Sequence, residues 1–251
     1  MAARRVARII GVTALLAGGS AVAAYVASTN PDLRTALSAL SQSSSQTVNS
    51  QGIDLTNRSF GGEAGDLLAT AREAGRRASS VRITGNAKVS HIAMKFDVSL
   101  VRGHGGSGSF AIDGGRLEAV YEPSAVYIKF DKGYAKKVRL PIALAGHWIK
   151  APPTNPLVRQ ATVFSNYDEF IDRGIFAGDR ALLGPRLTFD RSAVIALESP
   201  YEELFVSAKG IPYPLGMQPR GNPSSCLHFT RWGKATMRSA PQGPGVIELP
   251  A

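Results

Sequence analysis

The sequence predicts an α+β protein built around one large, curved antiparallel sheet. Three observations support this fold class. Residues 63–79 show the apolar spacing of an amphipathic helix, and from residue 81 onward apolar and polar residues alternate as in half-buried strands. Turn-forming residues separate the alternating runs, which is typical of a meander of hairpins. Short helical stretches then interrupt the strands between residues 151 and 185 before strand-like runs resume.

The helix at residues 63–79 carries one apolar stripe, and its arginines and glutamate lie on other faces. The stripe consists of Leu67, Leu68, Ala71, Ala74 and Ala78. Such a stripe is typical of a helix that packs against the body of a protein.

The strands are predicted from alternation and from the turns between them. From residue 81 the apolar phase is odd, and near Ser90-His91 it becomes even, which marks a tight turn or a bulge. Asp113-Gly114-Gly115 then separates two further runs, as in a hairpin. The remaining predicted elements are helices at Pro156–Phe164 and Asp168–Phe176, and strands at Val126–Phe130, Val194–Leu197, Leu204–Ala208, around Met217, at Cys226–Phe229 and at Val246–Leu249.

The N-terminal residues predict export from the cytoplasm. A cluster of arginines precedes an uncharged apolar run at residues 9–26, and Ala21-Val22-Ala23 offers a small-residue cleavage site. This pattern is typical of a secretory signal peptide or of an uncleaved membrane anchor. We therefore divide the chain into a signal or anchor segment at 1–28, a polar linker at 29–62 and a single domain at 63–251. Gly19 stands where a lipoprotein would carry its acylated cysteine, so lipid attachment there is not expected.

The charge of the chain predicts a partner of negative charge. The net charge is +10 and the isoelectric point is near 10.0, which suits anionic lipid, an acidic wall polymer or nucleic acid, although a merely solvated basic surface is an open alternative. Export argues against nucleic acid. The densest cluster, our candidate surface for an anionic membrane or wall polymer, is Lys129, Lys132, Lys136, Lys137 and Arg139.

No catalytic, metal-binding or cofactor-binding residues are predicted. The single Cys226 excludes an internal disulfide, and the histidines lack the helical spacing of a metalloprotease. Gly103-His104-Gly105-Gly106-Ser107-Gly108 matches the dinucleotide pattern G-x-G-x-x-G, but a strand-like run follows where that pattern needs a helix. We interpret it as a hairpin loop.

Four stretches, in this order along the chain, resemble a known family. They are the meander from Val81 to Ile112 with its turn, Ala125-Val126-Tyr127-Ile128-Lys129 with Gly146-His147-Trp148-Ile149-Lys150, Gly210-Ile211-Pro212-Tyr213-Pro214-Leu215, and Leu227-His228-Phe229-Thr230-Arg231-Trp232-Gly233-Lys234. Together they resemble the LppX/LprG-type envelope lipoproteins of actinobacteria, which share a half-barrel fold with LolA, LolB and RseB.

The resemblance implies a curved antiparallel half-barrel backed by short helices that enclose an apolar cavity. It implies a noncatalytic carrier of acylated lipid or glycolipid in the cell envelope, or alternatively an RseB-like sensor that binds a membrane protein partner. A hydrolase with an unrecognised site is a third hypothesis. The segment 151–200 is expected to cover the cavity. The candidate cavity-lining residues, taken from the apolar faces of the strands, are Ile92, Met94, Phe96, Val98, Leu100, Phe110, Ile112, Val126 and Ile128.

Overall fold

The structure is a computed structural model that describes residues 64–89, 92–155, 158, 166–175, 181–222 and 224–250. The predicted signal or anchor segment, the polar linker and the turn at Ser90-His91 lie outside the described residues. So does the predicted helix at Pro156–Phe164, apart from Val158. Among the described residues, no helix has the length and apolar character needed to cross a membrane.

The first half of the domain is a helix followed by a meander. Helix α1 ends in arginines and leads directly into the first strand. The elements are α1 (Ala64–Arg77), β1 (Ser80–Val89), β2 (Ile92–Val101), β3 (Gly105–Ile112), β4 (Gly115–Tyr121), β5 (Val126–Phe130), α2 (Lys132–Val138), a 3-10 turn (Ile142–Leu144) and β6 (Trp148–Ala151).

The second half begins with a short helical segment and continues as strands. The α-helical turn α3 (Tyr167–Glu169) is followed by a π-helical turn (Phe170–Gly174). The strands are β7 (Leu182–Phe189), β8 (Ser192–Glu198), β9 (Glu202–Ser207), β10 (Pro214–Pro219), β11 (Cys226–Thr230) and β12 (Val246–Glu248).

The twelve strands of the described residues form one large, open, curved sheet, which confirms the predicted α+β fold class. The order across the sheet is β12-β6-β5-β4-β3-β2-β1-β11-β10-β9-β8-β7. Every neighbouring pair is antiparallel except β12 and β6, which are parallel. The phase shift between residues 81 and 100 is the β1–β2 hairpin, in which Ile83 pairs with Val98 and Val89 pairs with Ile92.

The two faces of the sheet differ in what covers them. The inner face, as we call it, carries the main hydrophobic core, and α1, α2 and residues 166–175 contribute to that core. Because strand side chains alternate between faces, the polar residues of β2 lie on the opposite, outer face. There Arg82 of β1 and Asp97 of β2 form a two-point ion pair.

The C-terminal residues cross the outer face from the middle of the sheet to its edge. The chain leaves β11 and passes over β3, where the Arg238 backbone N–H donates a hydrogen bond to Ser107 Oγ at 2.8 Å. Met237 and Ala240 pack on a small core that Val120, Ala125 and Tyr127 form. The chain then ends as β12 beside β6. β12 and β6 are parallel, and the long crossing from β11 is compatible with this pairing because parallel strands need a crossover connection and not a tight turn.

The segment expected to cover the cavity, residues 151–200, has described parts in two different positions. Residues 166–175 pack on the inner face, whereas residues 182–198 form β7 and β8 and extend the sheet. The prediction was wrong for the latter because β8 is apolar on both faces. Ile195 and Leu197 join the main core, and Val194 and Ala196 join a second core on the outer face with Phe205.

Candidate lipid-binding face

The predicted cavity-lining residues share one face of adjacent strands. Eight of them belong to the main core and are at most 5% exposed: Met94, Phe96, Val98, Leu100, Phe110, Ile112, Val126 and Ile128. The side chain of Ile92 lies outside the described part of the chain, although its backbone begins β2. Which of these residues would line a ligand stays a prediction, and the structure shows them packed against other side chains.

Small residues shape the middle of this face. Register places Gly108 opposite Val98 and Gly106 opposite both Leu100 and Tyr121. A Cβ at Gly108 would come within 2.7 Å of a Val98 methyl carbon and of the Asp97 carbonyl oxygen. Glycine at these positions therefore leaves room for the larger side chains of the neighbouring strands.

Residues 166–175 form a short covering segment over the inner face. Its apolar side chains Tyr167, Phe170, Ile171 and Ile175 are all buried in the main core. Phe170 meets Phe229 of β11 edge to face, with ring centroids 5.6 Å apart. Asn166 starts the segment as a helix cap, and its side-chain oxygen accepts from the backbone of Glu169 at 3.1 Å.

The covering segment is attached to the body by a few polar contacts, mostly at the surface. Arg102 pairs with Asp168 at 3.0 Å and stands over the Tyr167 ring, and Arg76 pairs with Asp172 at 2.8 Å. The acidic partners of these pairs are 62% and 49% exposed. The buried contact is the Tyr167 hydroxyl, which donates to the Gly75 carbonyl oxygen of α1 at 2.7 Å.

Three buried tyrosines carry hydroxyl groups into this largely apolar interior. Tyr121 and Tyr134 both belong to the main core. Burial raises the pKa of Tyr134 to about 12 and raises the pKa of Tyr121 further above its ordinary value. Burial also raises the pKa of Tyr167. These hydroxyls are therefore neutral at physiological pH and act as hydrogen-bond donors and acceptors.

The structure separates the predicted basic cluster into distinct environments. Lys132, Lys136 and Arg139 are exposed on or just after α2. Lys137 forms an ion pair with Asp113. Lys129 lies on β5 across from Glu118 of β4 and is half-buried. Asp131 caps α2, accepting from the Tyr134 backbone at 2.7 Å.

The other residues singled out from the sequence have structural positions in the fold. Gly105–Gly108 belong to β3, so the glycine run opens a strand. His104 and His147 are exposed, and His228 contacts Asp190 at 3.1 Å. Cys226 is a free, half-buried cysteine at the start of β11, and burial raises its pKa to about 11. No group of three or more metal-binding side chains occurs among the described residues.

Sequence reasoning missed Tyr121 and Tyr134 as parts of this face, and it did not single out residues 166–175 within the segment 151–200. Tyr121 lies two residues after Ala119 in β4, so the two side chains point to the same face. The alternation of residues in β4 was therefore enough to place Tyr121 on the inner face. Tyr134 lies in a short helix without a strong periodic pattern. The role of the covering segment depends on its packing against distant strands, which local periodicity does not report.

Comparison with known proteins gives structural similarities of low sequence identity. LprF from Mycobacterium bovis is 12% identical, with a TM-score of 0.47 over 72% of this chain and 100% of LprF. LppX from Mycobacterium tuberculosis is 10% identical, with a TM-score of 0.40 over 69% of this chain and 96% of LppX. MucB, solved in complex with MucA, is 14% identical, with a TM-score of 0.31 over 71% of this chain and 57% of MucB.

No family model matches the chain, and no curated protein matches it. A LolA superfamily protein from Nitrosomonas europaea is 13% identical, with a TM-score of 0.24 over 72% of this chain and 96% of that protein.

Proposed function

We propose that this protein is an exported, noncatalytic lipid-binding protein of the bacterial cell envelope. Its ligand is an acylated lipid or glycolipid whose chains lie between the inner face of the sheet and the covering segment. The observation that carries the proposal is the construction of the cover: a short segment with four buried apolar side chains, whose ion pairs with the body of the protein are exposed.

The covering segment can leave the inner face at modest cost if an acyl chain takes its place. Exposed ion pairs such as Arg76–Asp172 contribute roughly 0–1 kcal/mol each. Most of its attachment is therefore apolar contact, which a hydrocarbon chain of similar area can replace. Its π-helical turn at Phe170–Gly174 supports the proposal, because such turns are rare and frequently occur at functional sites.

The buried tyrosines give the proposed site its polar contacts. An acylated lipid carries ester or hydroxyl oxygens beside its chains, and a neutral tyrosine hydroxyl can donate to them. Apolar pockets with a few such polar groups are typical of ligand sites in proteins. Tyr121 and Tyr134, which are buried in the main core, are the residues to which we assign this role.

A second candidate function is an envelope sensor that binds a membrane protein partner. One observation favours it: β7 is the last strand of the sheet order and pairs only with β8 among the described strands. An edge strand of this kind can accept a strand from another protein. Leu182, at its start, is 46% exposed.

Native mass spectrometry of the full chain purified from its own host distinguishes these functions. A lipid bound at one copy per chain, and lost or exchanged more readily in a variant carrying Tyr121→Phe and Tyr134→Phe, supports the carrier. A stoichiometric protein partner without lipid supports the sensor and contradicts the carrier.

Replacing Arg102 by glutamine is expected to loosen the cover and speed lipid uptake several-fold. The change removes the ion pair with Asp168, the hydrogen bond to the Arg76 carbonyl and the contact with the Tyr167 ring. We expect the free energy of unfolding to fall by less than about 2 kcal/mol, since these contacts are largely exposed. Uptake of a fluorescent fatty acid by the delipidated full chain measures the rate.

The matched control is Arg116→Gln. Arg116 forms a surface ion pair with Glu118 at 3.5 Å, and this pair lies away from the covering segment. Equal uptake rates in the two variants would show that the covering segment does not control access to the inner face.

A further inference from the structure

The loop between β5 and β6 combines a fixed, exposed apolar tip with exposed cations. Ile142 is 47% exposed, whereas Leu140 and Leu144 on either side pack against the main core. The loop is held by backbone hydrogen bonds, from Gly146 to Phe130 at 2.8 Å and from Leu140 to Ala135 at 2.8 Å. Ile142 is thus presented to solvent by a structured loop that its neighbours anchor.

The cations beside this tip have no ion-pair partner among the residues that the structure describes. Lys132 and Lys136 are four residues apart on α2, so they lie on the same side of the helix. Of the nearby carboxylates, Asp131 is used as the helix cap and Asp113 pairs with Lys137. Lys132, Lys136 and Arg139 form no ion pair with the described residues.

Arg139 occupies a position that usually belongs to glycine. It ends α2 in the left-handed conformation, with φ 58°, and its backbone N–H donates to the Ala135 carbonyl. A left-handed residue with a side chain costs about 1–2 kcal/mol relative to the right-handed form. Arginine at this position therefore places a positive charge beside the tip and lowers the stability of the fold relative to glycine.

We propose that the tip and its cations, namely Ile142 with Lys132, Lys136 and Arg139, dock this protein onto the surface of an anionic phospholipid bilayer. Cations near such a surface attract it, and an apolar side chain that enters the interface adds the burial of its own area. The proposal rests on the proposed envelope location and adds the surface that the protein meets there. A soluble polyanion would engage the cations and leave Ile142 in water.

The opposite end of the sheet provides a matched control. Ile211 is 57% exposed in the loop between β9 and β10. Because β5 and β10 run in the same direction, the loop after β5 and the loop before β10 lie at opposite ends. Ile211 has more exposed area than Ile142 but only one cation, Lys209, in its own loop.

The test uses the full chain with Cys226→Ala and a single new cysteine, Ile142→Cys or Ile211→Cys, labelled with an environment-sensitive fluorophore. Vesicles of phosphatidylcholine with phosphatidylglycerol are the probe, and phosphatidylcholine alone is the reference. We expect the label at position 142 to shift to the blue on the anionic vesicles and the label at 211 to remain unshifted. The readout is local, so insertion of residues 9–26 does not produce it.

Two further variants connect the shift to the cations. Changing Lys132, Lys136 and Arg139 to glutamine is expected to raise the vesicle concentration for half-maximal shift about a hundredfold at low salt. Arg139→Gly is expected to weaken binding while preserving or raising stability, because glycine accepts the left-handed conformation freely.

A shift at position 211 and none at 142 would overturn the proposal, as would binding that depends on charge with no shift at 142. These outcomes differ from those of the mass spectrometry: a protein that carries lipid and shows no shift at 142 keeps the proposed function and loses this docking surface.

Discussion

Replacing Phe229 by alanine is expected to lower the free energy of unfolding by about 3–5 kcal/mol. Phe229 is 1% exposed on β11, the strand that joins the β1–β6 half of the sheet to the β7–β10 half. Its ring also contacts Phe170 of the covering segment. The truncation leaves a cavity at a place where strands and cover meet, so little collapse can fill it.

Urea denaturation of the delipidated full chain measures this loss, with Tyr201→Ala as the control. Tyr201 is 38% exposed, so its truncation is expected to cost clearly less than the truncation of the fully buried Phe229. A double-mutant cycle with Phe170→Ala should give a coupling energy of about 0.5–1.5 kcal/mol. A loss below about 1 kcal/mol for Phe229→Ala would mean that the inner face is loosely packed in the absence of ligand.

Replacing Gly105 by alanine is expected to destabilise the protein by about 3 kcal/mol or more. Gly105 begins β3 with φ 104°, in a region of conformational space that residues with a Cβ rarely enter. A Cβ there would also collide with the carbonyl oxygen of Tyr121, which belongs to the paired strand β4. The clash involves backbone, so a side-chain rotation cannot relieve it.

Gly103→Ala separates the collision from the backbone conformation. Gly103 has φ 73°, and a Cβ at that position meets no atom within 4 Å. Its substitution should therefore cost only the conformational term, about 1–2 kcal/mol. Thermal unfolding of both variants measures their stabilities. Equal losses of stability in the two variants would contradict a steric role for Gly105.

These glycines explain why a dinucleotide-like pattern occurs in this chain. Gly105 is required by the backbone of β4, and Gly108 makes room for Val98. The spacing thus follows from strand pairing. A nucleotide site would need a helix to begin there, whereas β3 begins instead.

Several elements could be predicted from sequence because their signal is local. The α1 stripe, the phase shift between β1 and β2, and the Asp113-Gly114 turn each depend on a few consecutive residues. The inner-face residues of β2 and β3 could be assigned to one face for the same reason. Every second side chain of a strand points to the same side, and the backbone alone fixes this alternation.

Strand β7 and helix α2 could not be predicted because tertiary contacts compensate for unfavourable local residues. Gly184-Pro185 falls inside β7, which tolerates a proline because it is an edge strand with a register shift between Leu183 and Arg186. Gly133 lies inside α2, and that helix forms where its cap and the packing of Tyr134 against the start of β4 stabilise it.

The sequence by itself determined which side chains of the first strands share a face, the Asp113-Gly114 turn and the positive net charge. The tertiary structure alone decided that the Met94–Leu100 face points inward, that residues 166–175 cover it and that the C-terminal residues cross the other face to pair in parallel with β6. Periodicity fixes relative orientation along a strand, but which side becomes the interior depends on contacts between residues far apart in the chain.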